Sequence, residues 1–122
     1  MKNQAYRMAM LYDFYGDLLT ARQKEFYDLY YNGDLSLAEI AENYEITRQG
    51  VRDIIVRAEK TLEDLEEKTG LIQRYHRTRA TASTLRDLCT QIQTINQNRL
   101  GDGELEKLCI QLSEAIDDLG RE

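Results

Sequence analysis

The sequence predicts an all-α fold, and three observations carry that expectation. The 122 residues contain no proline and only seven glycines, so the chain has few of the residues that make tight strand turns. Five of those glycines, Gly16, Gly33, Gly70, Gly101 and Gly103, stand at candidate breaks or termini. Between them Leu, Ala, Glu, Arg and Gln dominate, all good helix formers. A chain of this length makes one domain, or one domain with a helical appendage.

Residues 1–19 carry few charges, and Met10, Phe14 and Leu18 recur at i, i+4. That spacing predicts an amphipathic helix with these three on its core face. In "TARQKEFYDLYYNG", Thr20 and Gln23 stand as a capping box. Phe26, Leu29 and Tyr30 then share a face, and Asn32-Gly33 supplies a left-handed stop. In "SLAEIAENY", Ser36 and Glu39 form a second capping box, and Leu37, Ile40, Ala41 and Tyr44 recur at helical spacing. So short a helix must pack on its neighbours to persist in water.

A fourth helix starts at Thr47, a good N-cap. Its apolar spacing settles into Ile55, Ala58, Leu62, Leu65, Thr69 and Ile72, an a/d seam that Gly70 bends or interrupts. Over residues 80–120, Leu85, Leu88, Ile92 and Ile95 form one stripe. Leu105, Leu108, Leu112, Ile116 and Leu119 form another. Joined at Gly101-Asp102-Gly103, they predict an αα-hairpin whose stripes need a partner: the fourth helix, a second copy or another protein. About that tip Cys89 and Cys109 are offset by about 9 Å along the axis at ~1.5 Å per residue. They read as two small core residues rather than a disulfide.

Several function classes find no support. One histidine, His76, leaves no His-rich metal site. There is no glycine-rich phosphate loop, nucleophile elbow or locally spaced Cys–His pair. Glu66 and Glu67 read as a solvated helix face. The sequence therefore predicts no catalytic residue, metal or cofactor, and a protein that is not an enzyme. The absence of a long apolar run and of a signal peptide predicts a soluble, cytoplasmic protein with no membrane insertion.

The stretch "SLAEIAENYEITRQGVRDIIVRAEKTL" has the spacing of a helix-turn-helix. Ala41 is small where the helices cross. Ile40, Tyr44, Ile46, Val51 and Ile54 fill the inner corner. Thr47, Arg48, Gln49 and Arg52, with Arg57 further on, present polar groups on the outer face of the second helix. Arg and Gln there suit guanine and adenine edges, and a helix N-terminus suits a phosphate. Two carboxylates depart from the pattern: Glu45 at the tight turn, where a left-handed backbone costs roughly 1–2 kcal/mol for a non-glycine residue, and Asp53 beside Arg52.

With these residues in view, "LLTARQKEFYDLYYNGDLSLAEIAENYEITRQGVRDIIVRAEKTLEDLEEK", preceded by "MAMLYDFYGDLL", resembles the YlxM family of small bacterial helix-turn-helix proteins over about residues 6–75. Through "LTARQ", "SLAEIA", "TRQGV" and "RAEKTL" the core is also similar to the promoter-reading C-terminal domain of bacterial sigma factors. The resemblance implies a DNA-binding regulator linked by gene neighbourhood to the signal recognition particle. It places Thr47, Arg48, Gln49, Arg52 and Arg57 at the nucleic-acid-facing positions. The chain as a whole is read as a helix-turn-helix domain over 1–67 and a helical extension over 68–122 for oligomerisation or partner binding.

The formal net charge of −6 does not oppose this reading, because the charge is uneven. Residues 47–60 hold four cations against two acids, and Lys68 to Arg86 holds Lys68, Arg74, Arg77, Arg79 and Arg86 without an acid. The acid collects in "EDLEE" and after residue 101. The basic run therefore reads either as a structural complement to the acidic C-terminal helix or, with Tyr75 and His76 interleaved, as a secondary patch at Arg74, Arg77 and Arg79 that suits RNA. The partners expected are DNA or the RNA of the signal recognition particle, that particle's GTPase, and a second copy of the chain. A helix-turn-helix serving only as a protein- or RNA-docking surface is the alternative.

Overall fold

The fold is all-α. A computed structural model describes residues 5–121. Among them there are six α-helices and no strand: α1 (Ala5–Tyr15), α2 (Ala21–Tyr31), α3 (Leu37–Tyr44), α4 (Arg48–Thr69), α5 (Leu71–Ile95) and α6 (Gly103–Leu119). The chain divides into two compact units, one ending at Ile72 and one beginning at Gln73.

In the first unit α1, α2 and α3 all pack on α4. Both anticipated capping boxes form. Gln23 N–H donates to Thr20 Oγ1 (3.2 Å) while Gln23 Oε1 accepts from Thr20 N–H (3.1 Å). Glu39 N–H donates to Ser36 Oγ and Glu39 Oε1 accepts from Ser36 N–H, both at 3.1 Å. One half of the core joins Phe26, Tyr30, Ile40, Ala41, Val51 and Ile55. The other joins Met8, Leu11, Tyr15, Leu19, Tyr27, Ala58, Leu62 and Ile72. The α4 seam is thus closed within this unit, with Leu65 packed partly against it.

The structure differs from expectation at four places. The core face of α1 is Met8, Leu11 and Tyr15, whereas Phe14 and Leu18 are exposed and Met10 is only partly buried. Both stripes have helical spacing, and α4 selects the one that continues into Leu19 after the 3₁₀ turn Gly16–Leu18. The left-handed residue after α2 is Asp34 (φ 54°), not Gly33. Gly33 is needed instead for close approach, because a Cβ there would lie 2.9 Å from the Leu29 carbonyl oxygen. Glu66 is not merely solvated. It accepts from the Tyr15 hydroxyl (2.6 Å) and from Ile72 N–H (2.9 Å), and so holds the break at Gly70, whose backbone is left-handed (φ 62°).

The fourth difference is in the second unit. The hairpin does not fold symmetrically about Gly101-Asp102-Gly103. A π-helical turn over Asn96–Leu100 extends α5. The Asn96 side chain then exchanges two 2.9 Å bonds with the Asp102 backbone. This sets Asn96 opposite Asp102 and, one heptad back, Cys89 opposite Cys109, where the thiol donates to the Cys109 carbonyl at 3.5 Å. The cysteines face each other across the hairpin without the expected offset, both buried and both free. Ala82 and Cys89 of α5, Asn96 of the π-helical turn, and Cys109 and Ile116 of α6 form the buried seam. Of the two anticipated leucine-rich stripes, only Ile116 lies in it.

Two polar ties fasten α1 in the first unit. The Tyr27 hydroxyl donates to the Met8 carbonyl at 2.6 Å. Arg7 grips Glu63 with two bonds of 3.1 and 2.6 Å, which holds its guanidinium above its usual range. Burial pushes the Tyr27 and Tyr31 hydroxyls far above the ordinary tyrosine range, with nearby Glu59 adding to both.

Candidate nucleic-acid interface

Helices α3 and α4 form the helix-turn-helix. The turn between them is held by Ile46 N–H donating to the Ala41 carbonyl at 3.1 Å, a six-residue closure that places the intervening residue left-handed. That residue is Glu45, at φ 56° and ψ 39°. The turn keeps the geometry that glycine would favour, and a carboxylate-bearing residue occupies it. Thr47 then caps α4, its Oγ1 accepting from Gly50 N–H at 2.9 Å. The inner corner is apolar as anticipated: Ile40, Ala41 and Val51 are buried, and Tyr44, Ile46 and Ile54 pack against them.

The buried face of α4 runs through Val51, Ile55, Ala58 and Leu62. At 100° per residue its opposite face runs from Arg52 to Arg57, with Gln49, Asp53, Val56 and Lys60 between, while Arg48 lies at the flank nearer the buried side, on the first turn. Thr47, Arg48, Gln49, Arg52 and Arg57 are all exposed. The first four lie within the opening turns, where the orphan N–H groups of α4 also point outward. Asp53 is engaged by Gln49, whose Nε2 donates to Asp53 Oδ1 at 2.9 Å. The one side chain suited to adenine is thereby tied to the carboxylate four residues on.

Two further residues share this face. Val56, 40 % exposed, is the large apolar group in its middle, a suitable contact for a thymine methyl. Its signal in the sequence is a β-branched residue four positions after Arg52 on an otherwise polar face. Lys60 stands one turn further along. A neighbouring cation, Arg22 of α2, lies over the rings of Phe26 (5.2 Å) and Tyr44 (5.9 Å). The Tyr44 hydroxyl donates to Glu25, which raises its pKa. These contacts brace the outer end of α3.

The secondary patch lies on α5, in the second unit. Arg74, Arg77 and Arg79 are exposed, and Arg79 folds back, 5.5 Å over the Tyr75 ring, donating to its hydroxyl at 2.9 Å. The cation that answers the acidic α6 is Arg86, paired with Asp117 at 3.2 Å. Among the described residues no group of three or more His, Cys, Asp or Glu is placed to hold a metal ion. Among the same residues no helix is long and apolar enough to cross a membrane.

Comparison with known proteins agrees with the helix-turn-helix of α3 and α4. The model of the family described as "Putative helix-turn-helix protein, YlxM / p13 like" matches residues 2–100. A UPF0122 protein of Geobacillus kaustophilus (strain HTA426) is 44% identical over 114 residues, covering 93% of this chain and 98% of its own. One from Thermoanaerobacter sp. (strain X514) is 41% identical over 112 residues, 92% of each chain. A UPF0122 protein of Desulforamulus reducens reaches 53% identity over 70 residues, 57% of this chain and 60% of that one.

Proposed function

The chain belongs to the YlxM/p13-like helix-turn-helix family, UPF0122, and on that premise we propose that it is a cytoplasmic, non-enzymatic regulatory protein that binds DNA through the outer face of α4. The observation that carries this reading is the exposed group Thr47, Arg48, Gln49 and Arg52 at the start of a helix whose opposite face is fully buried. Such a helix is fixed in place by its core side and free to enter a groove on the other. Arg48 and Arg52 contact phosphates or guanine edges, Gln49 reads a base once released from Asp53, and Arg57 and Lys60 follow the backbone.

One copy neutralises three or four phosphates, so its affinity is modest and steeply salt-dependent. Two copies double the contacts and add a half-site spacing. On this reading residues 1–67 recognise nucleic acid and residues 68–122 serve oligomerisation or partner binding. The test is binding to duplex DNA at low salt, in which Arg48→Ala and Arg52→Ala each weaken the complex. Equal binding by wild type and both variants would remove the proposal.

A second reading rests on the exposed Arg74 and Arg77 beside the Arg79–Tyr75 stack, an arrangement of cations and a ring suited to single-stranded RNA. In it the chain is an accessory factor of the signal recognition particle, touching its RNA or its GTPase. Co-purification with either component, lost in Arg74→Ala/Arg77→Ala, supports that reading. Recovery of neither component rejects it.

A further inference from the structure

The second unit buries mostly small side chains and exposes most of its large apolar ones. Its seam consists of Ala82, Cys89, Asn96, Cys109 and Ile116. Leu85, Leu88, Ile92 and Ile95 of α5, and Leu108, Leu112 and Leu119 of α6, are between 36 and 55 % exposed. Taking the buried seam residues as the d positions of a heptad, Leu85 and Ile92 fall at g and Leu88 and Ile95 at c on α5. On α6, Leu105, Leu112 and Leu119 fall at g and Leu108 at c. In an antiparallel pair, g positions of the two helices lie on the same side of the seam, and c lies beyond g. Both stripes therefore share one side of the hairpin and merge into a single apolar face.

The other side is polar. Arg79, Ser83, Arg86 and Asp117 line one open depression there, and the Arg86–Asp117 pair closes across it. Thr90 and Asp87 continue that side along α5, and on α6 Ile110 is its one large apolar group. A hairpin with so complete a division, and with its leucines outside its own seam, is half of a core.

We propose that this face is where two copies of the chain associate, their α5–α6 hairpins forming a four-helix bundle. Two observations favour a second copy over an unrelated partner. The exposed leucines and isoleucines amount to on the order of 500 Å² of apolar surface per copy, which with flanking side chains approaches the ~800 Å² per partner of a stable interface. The charges off the polar side also complement themselves: α5 carries Arg74 and Arg77 there, and α6 carries Glu104, Glu114 and Asp118 against Lys107. A two-fold axis parallel to the helices sets α5 of one copy against α6 of the other, basic against acidic, with every neighbouring pair antiparallel. An axis across the helices would instead set acidic α6 on its own copy. The α4 seam offers no competing surface, because Ile55, Ala58 and Leu62 are fully buried within the first unit. The inference concerns the second unit alone and does not depend on nucleic-acid binding.

Sedimentation equilibrium of the full chain tests it. Wild type is expected at twice the 14.2 kDa chain mass, and Ile92→Glu or Leu112→Glu at the single-chain mass with unchanged far-UV circular dichroism. Leu18→Glu, at an exposed apolar site of the first unit, leaves the dimer intact. Should a Glu variant lose helix, the milder Leu88→Gln/Leu108→Gln pair decides, with a dissociation constant raised at least tenfold. Added salt weakens the dimer if α5 faces α6 and tightens it if α6 faces α6. A wild-type monomer at tens of micromolar, or a dimer indifferent to all three hairpin substitutions, overturns the proposal. Tightening with salt overturns the arrangement of the helices.

Discussion

Replacing Glu45 separates two effects that the turn combines. Its backbone sits at φ 56° and ψ 39°, where a side chain with a Cβ costs roughly 1–2 kcal/mol and glycine almost nothing. Glycine returns part of that gain through the greater freedom of the unfolded chain, about 0.5–1 kcal/mol. The carboxylate's own electrostatics nearly cancel, since it follows the negative end of α3 and precedes the positive end of α4. Glu45→Gly should therefore stabilise the first unit by about 1 kcal/mol, or about 4–8 °C in Tm for a unit of this size. Urea titration followed by tyrosine fluorescence suits the measurement, because seven of the eight tyrosines precede Gln73. Glu45→Ala keeps the Cβ and should gain nothing. Both variants remove the charge, so both should bind nucleic acid equally well and more tightly than wild type. If Glu45→Ala is stabilised as much as Glu45→Gly, the backbone argument is wrong and the charge is responsible.

Leu62→Ala, at a fully buried position between α1 and α4, should cost 2–5 kcal/mol, read as a lower urea midpoint with little change in slope. Tyr27 and Tyr31 have pKa values raised by burial. Their stabilising contribution is complete below the ordinary tyrosine value near 10 and is lost as pH climbs above it, because the unfolded chain ionises first. Urea midpoints at pH 9 and pH 11 should show that fall, and Tyr31→Phe should flatten it. Asp53→Asn removes the carboxylate that Gln49 holds and should raise nucleic-acid affinity several-fold in a low-salt titration. Unchanged affinity would place Asp53 away from the ligand.

What could be read from the sequence was what short spacing determines. Thr20 with Gln23, Ser36 with Glu39, and Thr47 before α4 form their caps within three residues, so no tertiary information was needed. The same holds for the exposed Arg52, which follows from the buried Val51 beside it, and for Arg48, which is exposed as the first residue of α4. Where two local solutions were equally good, the neighbour decided. Met10, Phe14 and Leu18 make as regular a stripe as Met8, Leu11 and Tyr15, and only packing on α4 distinguishes them. The hairpin register depended on the π-helical turn Asn96–Leu100, which moves the crossing point back from the glycines and brings Cys89 to Cys109. Glu66 looked like surface because its partners, Tyr15 and Ile72 N–H, lie far along the chain or beyond the helix break. In the site, the Gln49–Asp53 bond follows an ordinary i, i+4 rule, and Val56 is legible only as a β-branched residue four positions after Arg52 on an otherwise polar face.

The central claim is that the outer face of α4 meets phosphates and bases. The salt dependence of duplex binding tests it most directly, measured for wild type, Arg48→Ala and Arg52→Ala over one series of salt concentrations. Each phosphate contact removed should flatten the slope of log K against log salt by about 0.9, and a base contact removed should lower affinity while leaving the slope unchanged. The account predicts one of these two changes for each arginine. Slopes and affinities that all coincide with wild type would contradict it.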